Sequence, residues 1–208
     1  GTGRCSSDGD NGPAVEASVY TPRGLWVDSW NNIFISEYSG HRLRLINASD
    51  GTISTFGGDG TVSTPSNNGD GLQATSARLQ NPMHITGDAE GTALYIAEFG
   101  QHRVRRIDRG SGIISTFVGG TSFVGTDTGD GGPATMAGLN RPIGLFLDSM
   151  SVLFISDSEN NKIRKVESEI YNFTISTLAG TGSAGFSGDG KAASLALLNS
   201  PAGIWGDT

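Results

Sequence analysis

Short apolar runs alternate with clusters of glycine, aspartate, asparagine and serine along the whole chain, a spacing that predicts antiparallel strands and is too short for helices. One set of runs follows a recurring proline: Gly24-Leu25-Trp26-Val27, Ile85-Thr86, Gly144-Leu145-Phe146-Leu147 and Gly203-Ile204-Trp205. A second set, Ile33-Phe34-Ile35, Leu94-Tyr95-Ile96 and Leu153-Phe154-Ile155, is apolar on both faces, as expected of strands buried between sheets. The third alternates, in Arg42-Leu43-Arg44-Leu45, Arg103-Val104-Arg105 and Lys162-Ile163-Arg164. The fourth, Ile53-Ser54-Thr55-Phe56, Ile114-Ser115-Thr116-Phe117 and Ile175-Ser176-Thr177-Leu178, ends in glycine each time.

These four runs recur in step. Pro22, Pro82, Pro142 and Pro201 stand 60, 60 and 59 residues apart; an aspartate lies twelve residues before each (Asp10, Asp70, Asp130, Asp189) and another six after (Asp28, Asp88, Asp148, Asp207). The later aspartate suits the start of a turn, its carboxylate accepting backbone N–H groups two residues on. Between the fourth run and the next proline lies a linker carrying Gly69-Asp70-Gly71, Gly129-Asp130-Gly131 or Gly188-Asp189-Gly190, then an alanine-rich stretch that permits a turn or two of helix. The pattern predicts an all-β fold of four-stranded antiparallel blades at about 23–58, 83–119 and 143–180. Linkers occupy 1–22, 59–82, 120–142 and 181–201, and a fourth blade starts at 202–208. Radial repetition of such sheets is the plan of a β-propeller.

The proline-glycine-apolar-aspartate run, the strand endings Ile35-Ser36-Glu37, Ile96-Ala97-Glu98 and Ile155-Ser156-Asp157, and the segments Gly40-His41-Arg42-Leu43-Arg44, Gln101-His102-Arg103-Val104-Arg105 and Asn161-Lys162-Ile163-Arg164 together resemble the NHL repeat. The likeness is to the long variety, in which a GDGGPAT-like linker separates blades, and Gly129 to Thr135 carries that wording in full. It covers essentially the whole chain. The resemblance implies a ring of about six blades, so three blades and one strand read as an excerpt of a larger protein or as one part of a ring completed by other chains.

Thirty-two glycines suit many tight turns, and 36% apolar content suits a globular chain. A net charge of −7 argues against a polyphosphate partner, so no nucleic acid is expected. No apolar run approaches the roughly 20 residues that span a bilayer, so no membrane insertion is expected. The glycine-rich start does not resemble a signal peptide, which reads as a mature product or an interior piece. Cys5 is the single cysteine, so an internal disulfide is excluded; the thiol is either a small buried side chain or awaits a partner outside the sequence. Two sequons, at Asn47 and Asn172, fall at the same point of the repeat, just before the fourth strand, where an exposed hairpin turn is expected.

An acid and an arginine recur seven residues apart in every copy: Glu37 with Arg44, Glu98 with Arg105, Asp157 with Arg164. Repetition points to architecture, with ion pairs tying the second strand to the third or to the adjacent blade, rather than to a polar ligand. The acidic linkers, lacking Lys-Ser or Lys-Thr, do not cradle phosphate. Turn formation accounts for them, with calcium as the alternative at Asp8 to Gly12 and at Asp127 with Asp130. His41 and His102 share a turn position that the third copy fills with Asn161 or Lys162. His84 opens a strand where the other copies carry glycine, so it is placed to reach a central channel, although a satisfied structural imidazole is the preferred reading. Copy-specific aromatics in the linkers, Phe123 and Phe186, are candidate binding anchors. The expected function is a non-catalytic, extracellular or cell-surface interaction or structural module without cofactor. Its partners would be other proteins, further blades or sister subunits; the alternative is a metal-dependent lyase or hydrolase acting in the channel.

Overall fold

The computed structural model describes residues 1–64, 68–120, 124–169 and 172–207. Phe123 lies outside the described residues.

Three antiparallel sheets follow one another along the chain. The first comprises β1 (Gly12–Pro13), β2 (Pro22–Val27), β3 (Ile33–Glu37), β4 (Arg42–Ile46) and β5 (Thr52–Gly57), in the order β1-β5-β4-β3-β2. The second holds β6 (Pro82–Gly87), β7 (Ala93–Glu98), β8 (Arg103–Asp108) and β9 (Ile114–Val118), and the third β10 (Pro142–Leu147), β11 (Leu153–Asp157), β12 (Lys162–Glu169) and β13 (Asn172–Ala179). Both run in simple up-and-down order. These are β-propeller blades. Pro22, Pro82 and Pro142 each open a strand, where a missing N–H costs no ladder hydrogen bond. Residues 202–207, expected to begin a further strand, pair with no strand and run beside β10 at Gly144. No helix among the described residues is long and apolar enough to cross a membrane.

The chain divides into two compact units, Gly1–Ile96 with Arg106–Ser115, and Ala97–Arg105 with Thr116–Thr208. In the first, the core gathers Phe34, Leu43, Leu79, Ile85, Leu94, Ile96, Ile107 and Ile114. Phe34 is its aromatic centre, with its ring centroid 5.5 Å from Trp26 and 5.0 Å from Phe56, the latter edge-on. Successive inner strands are stapled here by Ser36, whose hydroxyl accepts the Gly24 N–H (2.8 Å) and donates to the Met83 carbonyl (2.6 Å). In the second unit, Leu145, Leu153, Ile155, Val166 and Ile175 are buried, and Phe117 meets Phe173 edge-on at 4.7 Å.

The linkers do more than connect. Each contributes a rung to the outer edge of the sheet after it, Asn11 donating to Ile53, Gly71 to Ile114 and Gly131 to Ile175 through backbone N–H groups. That rung covers the edge strand, which would otherwise present unpaired backbone. The alanine stretches form single 3-10 turns, Ala74–Ser76, Ala134–Met136 and Ala193–Leu195, whose first carbonyl accepts the N–H of the glycine closing the preceding sheet (Gly58, Gly119, Gly180).

Candidate functional site

The recurring acids and arginines form the most heavily charged part of the interior. In the first sheet Ile35 stands opposite Arg44 and Glu37 opposite Arg42, so Glu37 and Arg44 are diagonal neighbours on one face. Arg44 Nη1 lies 3.1 Å from Glu37 Oε1, both side chains without solvent exposure. Its Nη2 reaches Asp10 Oδ1 at 2.6 Å, and the fork also donates to the carbonyls of Ser18 and Asp8. Glu37 accepts the Tyr20 N–H and the Ser7 hydroxyl, while Asp10 Oδ2 accepts the Thr55 hydroxyl at 2.7 Å.

The third sheet repeats the arrangement. Arg164 lies 3.1 Å from Asp157 and 2.7 Å from Asp130, and donates to the Gly138 and Thr128 carbonyls. Asp157 accepts the Asn140 N–H and the Asn160 amide, and Asp130 accepts Thr177 Oγ1. Burial pushes the Asp157 carboxyl up to about 6 against the pull of these donors and of Arg164. At Asp10, burial also pushes upward, but the Thr55 hydroxyl and the Arg44 guanidinium outweigh it and hold the carboxyl below its usual value. The middle copy differs, since Glu98 Oε2 takes Arg103 Nε at 2.6 Å as well as Arg105 Nη1 at 3.4 Å, all three side chains buried.

Three participants escaped the sequence reading. Arg103, taken only as part of an alternating strand, is a second cation on Glu98. The linker aspartates Asp10 and Asp130, read as turn formers or calcium ligands, neutralise the buried arginines; the legible signal was the equal separation of 34 residues from Asp10 to Arg44 and from Asp130 to Arg164. Their oxygens are engaged by arginine and threonine. Asp8 is spent on Ser18 and Ser6, and Asp127 lies 2.7 Å from Lys162 Nζ. Among the described residues no group of three or more His, Cys, Asp or Glu is placed to hold a metal ion.

The aspartates after the inner strands make the expected turns: Asp28 Oδ1 accepts the N–H groups of Trp30 and Asn32, and Asp148 Oδ1 those of Met150 and Val152. Asp28 also pairs with Arg109 at 3.1 Å, and that guanidinium lies over the rings of Trp30 and Phe34. His84 is half-buried on β6, and burial lowers the pKa of its imidazole. Phe186 does not tuck against a sheet; it is 86% exposed. Asn172 is exposed at the start of β13, whereas Asn47 is half-exposed in the β4–β5 turn, its Oδ1 accepting both the N–H and the hydroxyl of Ser49. Cys5 is exposed and unbridged.

Three sheets of this kind, each with its own carboxylate–arginine network, define blades of an all-β, propeller-type fold. No family model matches the chain. By sequence it is similar to NHL repeat-containing protein 2 of Gallus gallus, 26% identical over 74% of this chain and 22% of that protein. It is also similar to Gallus gallus teneurin-1, 26% identical over 94% of the chain and 8% of that protein. The chain thus spans less than a quarter of either relative. By structure it resembles an auxiliary nutrient binding protein from Bacteroides ovatus, with a TM-score of 0.64 at 18% identity over 91% of this chain and 44% of that one. A second likeness is to virginiamycin B lyase from Staphylococcus aureus, with a TM-score of 0.51 at 17% identity over 78% of this chain and 43% of that one. Both structural likenesses concern the fold alone.

Proposed function

We propose that the chain is a non-catalytic interaction scaffold, an NHL-type propeller segment that presents copy-specific side chains to a protein partner outside the cell. One contrast carries this reading. The charged groups that recur in every copy are consumed by one another in the interior, whereas apolar side chains that do not recur stand in solvent. Trp30, matched by Glu90 and Met150 in the other copies, is 58% exposed, and Phe186 is 86% exposed. A lyase or hydrolase needs polar groups left available to a substrate or metal, and the repeated carboxylates here already hold arginine, hydroxyl and backbone donors.

The test of the interaction is affinity capture by the immobilised chain, compared with Trp30→Ser and Phe186→Ser. Phe186→Ser is expected to leave the melting temperature within the range of a change of about 0.5 kcal/mol and Trp30→Ser, which also removes the ring beneath Arg109, within about 1 kcal/mol, while at least one weakens capture about tenfold or more, as a contact anchor does. No specific capture by the parent, or equal capture by both variants, overturns the interaction reading. For the location, secretion from a eukaryotic cell is expected to add a glycan mass at Asn47 and Asn172. Unmodified asparagine at both positions removes the support for an external setting.

A further inference from the structure

Three turn residues occupy one repeat position, at the entrance to the third strand of each sheet, and all three have left-handed backbones: His41 (φ 52°), His102 (φ 53°) and Asn161 (φ 53°). Each aims a side-chain acceptor at the same target, the N–H of the residue just before the next repeating proline. His41 Nδ1 accepts from Asn81 at 3.2 Å, His102 Nδ1 from Arg141 at 3.1 Å, and Asn161 Oδ1 from Ser200 at 3.0 Å. The target residues are themselves left-handed (Asn81 φ 50°, Arg141 φ 52°, Ser200 φ 47°), a conformation that non-glycine residues adopt only when held. The contact is therefore a latch from the outer turn of one repeat onto the start of the next.

We propose that the latch at His102 is proton-sensitive, opening when its imidazole takes up a proton, while the homologous latch at Asn161 is permanently set. A neutral imidazole accepts at Nδ1 only with its proton on Nε2; the imidazolium donates at both nitrogens and cannot accept the Arg141 N–H. An asparagine carbonyl accepts at any pH. The groups facing His102 are Arg141, whose charge opposes protonation, and the Asn140 side chain, whose hydrogen bond favours it, as does the charge of Glu159. Burial, together with Arg141, lowers the imidazole pKa below 6.5. A depressed folded value means the latch is fully made above pH 6.5 and is lost as pH falls through the folded pKa. Release would free the Arg141 backbone at the entry to β10 in an acidic compartment and leave the Ser200 junction closed.

Hydrogen exchange on the whole chain tests this, with Arg141 and Ser200 as paired reporters in one molecule. As the pH is lowered from 7.5 to 4.5, after correction for intrinsic exchange, protection of the Arg141 amide is expected to fall, by up to about tenfold, the worth of one hydrogen bond, while that of Ser200 holds. In His102→Asn the Arg141 amide is expected to keep its protection at both pH values. Equal behaviour of the two amides in the parent, no loss at Arg141, or the same loss in His102→Asn overturns the proposal. The comparison within the parent stands even if the variant fails to fold.

Discussion

Arg44→Met is expected to destabilise the fold by about 3–5 kcal/mol, the range for breaking a buried ion pair on one side only. The arginine and Glu37 are both without solvent exposure, so methionine fills the volume and strands the carboxylate. Tyr20 N–H and the Ser7 hydroxyl still reach Glu37, but two hydrogen bonds do not replace a cation in a low-dielectric interior. The argument is checked by a double variant: Glu37→Gln in the Arg44→Met background is expected to recover part of the loss, because the amide no longer carries a buried charge. Arg105→Met is expected to cost less than Arg44→Met, since Glu98 keeps Arg103 at 2.6 Å. Denaturant unfolding measures all four proteins. A loss below about 1 kcal/mol for Arg44→Met, the value of an exposed pair, contradicts the description of these networks as internal struts.

Gly58→Ala carries the second large effect, about 2–5 kcal/mol. Gly58 directly follows β5 with φ +83°, and a Cβ there falls on the His41 carbonyl oxygen and the Arg42 Cα, both backbone and unable to step aside. Left-handed backbone costs a non-glycine residue about 1–2 kcal/mol, and overpacking adds roughly 1–3 kcal/mol. Gly180 repeats the geometry, with φ +92° against the Asn161 carbonyl, and is expected to respond alike. Gly51 separates the two causes: its φ is +71° but a Cβ meets nothing within 4 Å, so Gly51→Ala should show the conformational cost alone. Equal losses at Gly51 and Gly58 would mean that the approach of β5 to the turn at His41 contributes nothing.

Much was legible because a repeat reports its own important positions. Spaced prolines and aspartates predicted the strands, and the Asp28 and Asp148 turns formed as an aspartate before a tight turn should, since a carboxylate finds N–H groups two residues away without help from the rest of the molecule. The alternating third strand was less informative. Alternation marks two faces but not which is wet, and Arg44, Arg105 and Arg164 are wholly buried beside Leu43 and Val104.

What the amino-acid order determined by itself, then, was the local layer: strand lengths, turn positions and the pairing of acids with arginines seven residues apart, all contacts that a single hairpin can make. Tertiary structure alone decided the longer reaches. It set Arg44 on Asp10 and Arg164 on Asp130, set Arg103 on Glu98, aimed His102 at Arg141 and left Phe186 in solvent. The reason is physical: an aspartate, a histidine or a phenylalanine serves several partners equally well, and only strand register and the return of each linker along its sheet bring one of them within hydrogen-bond range.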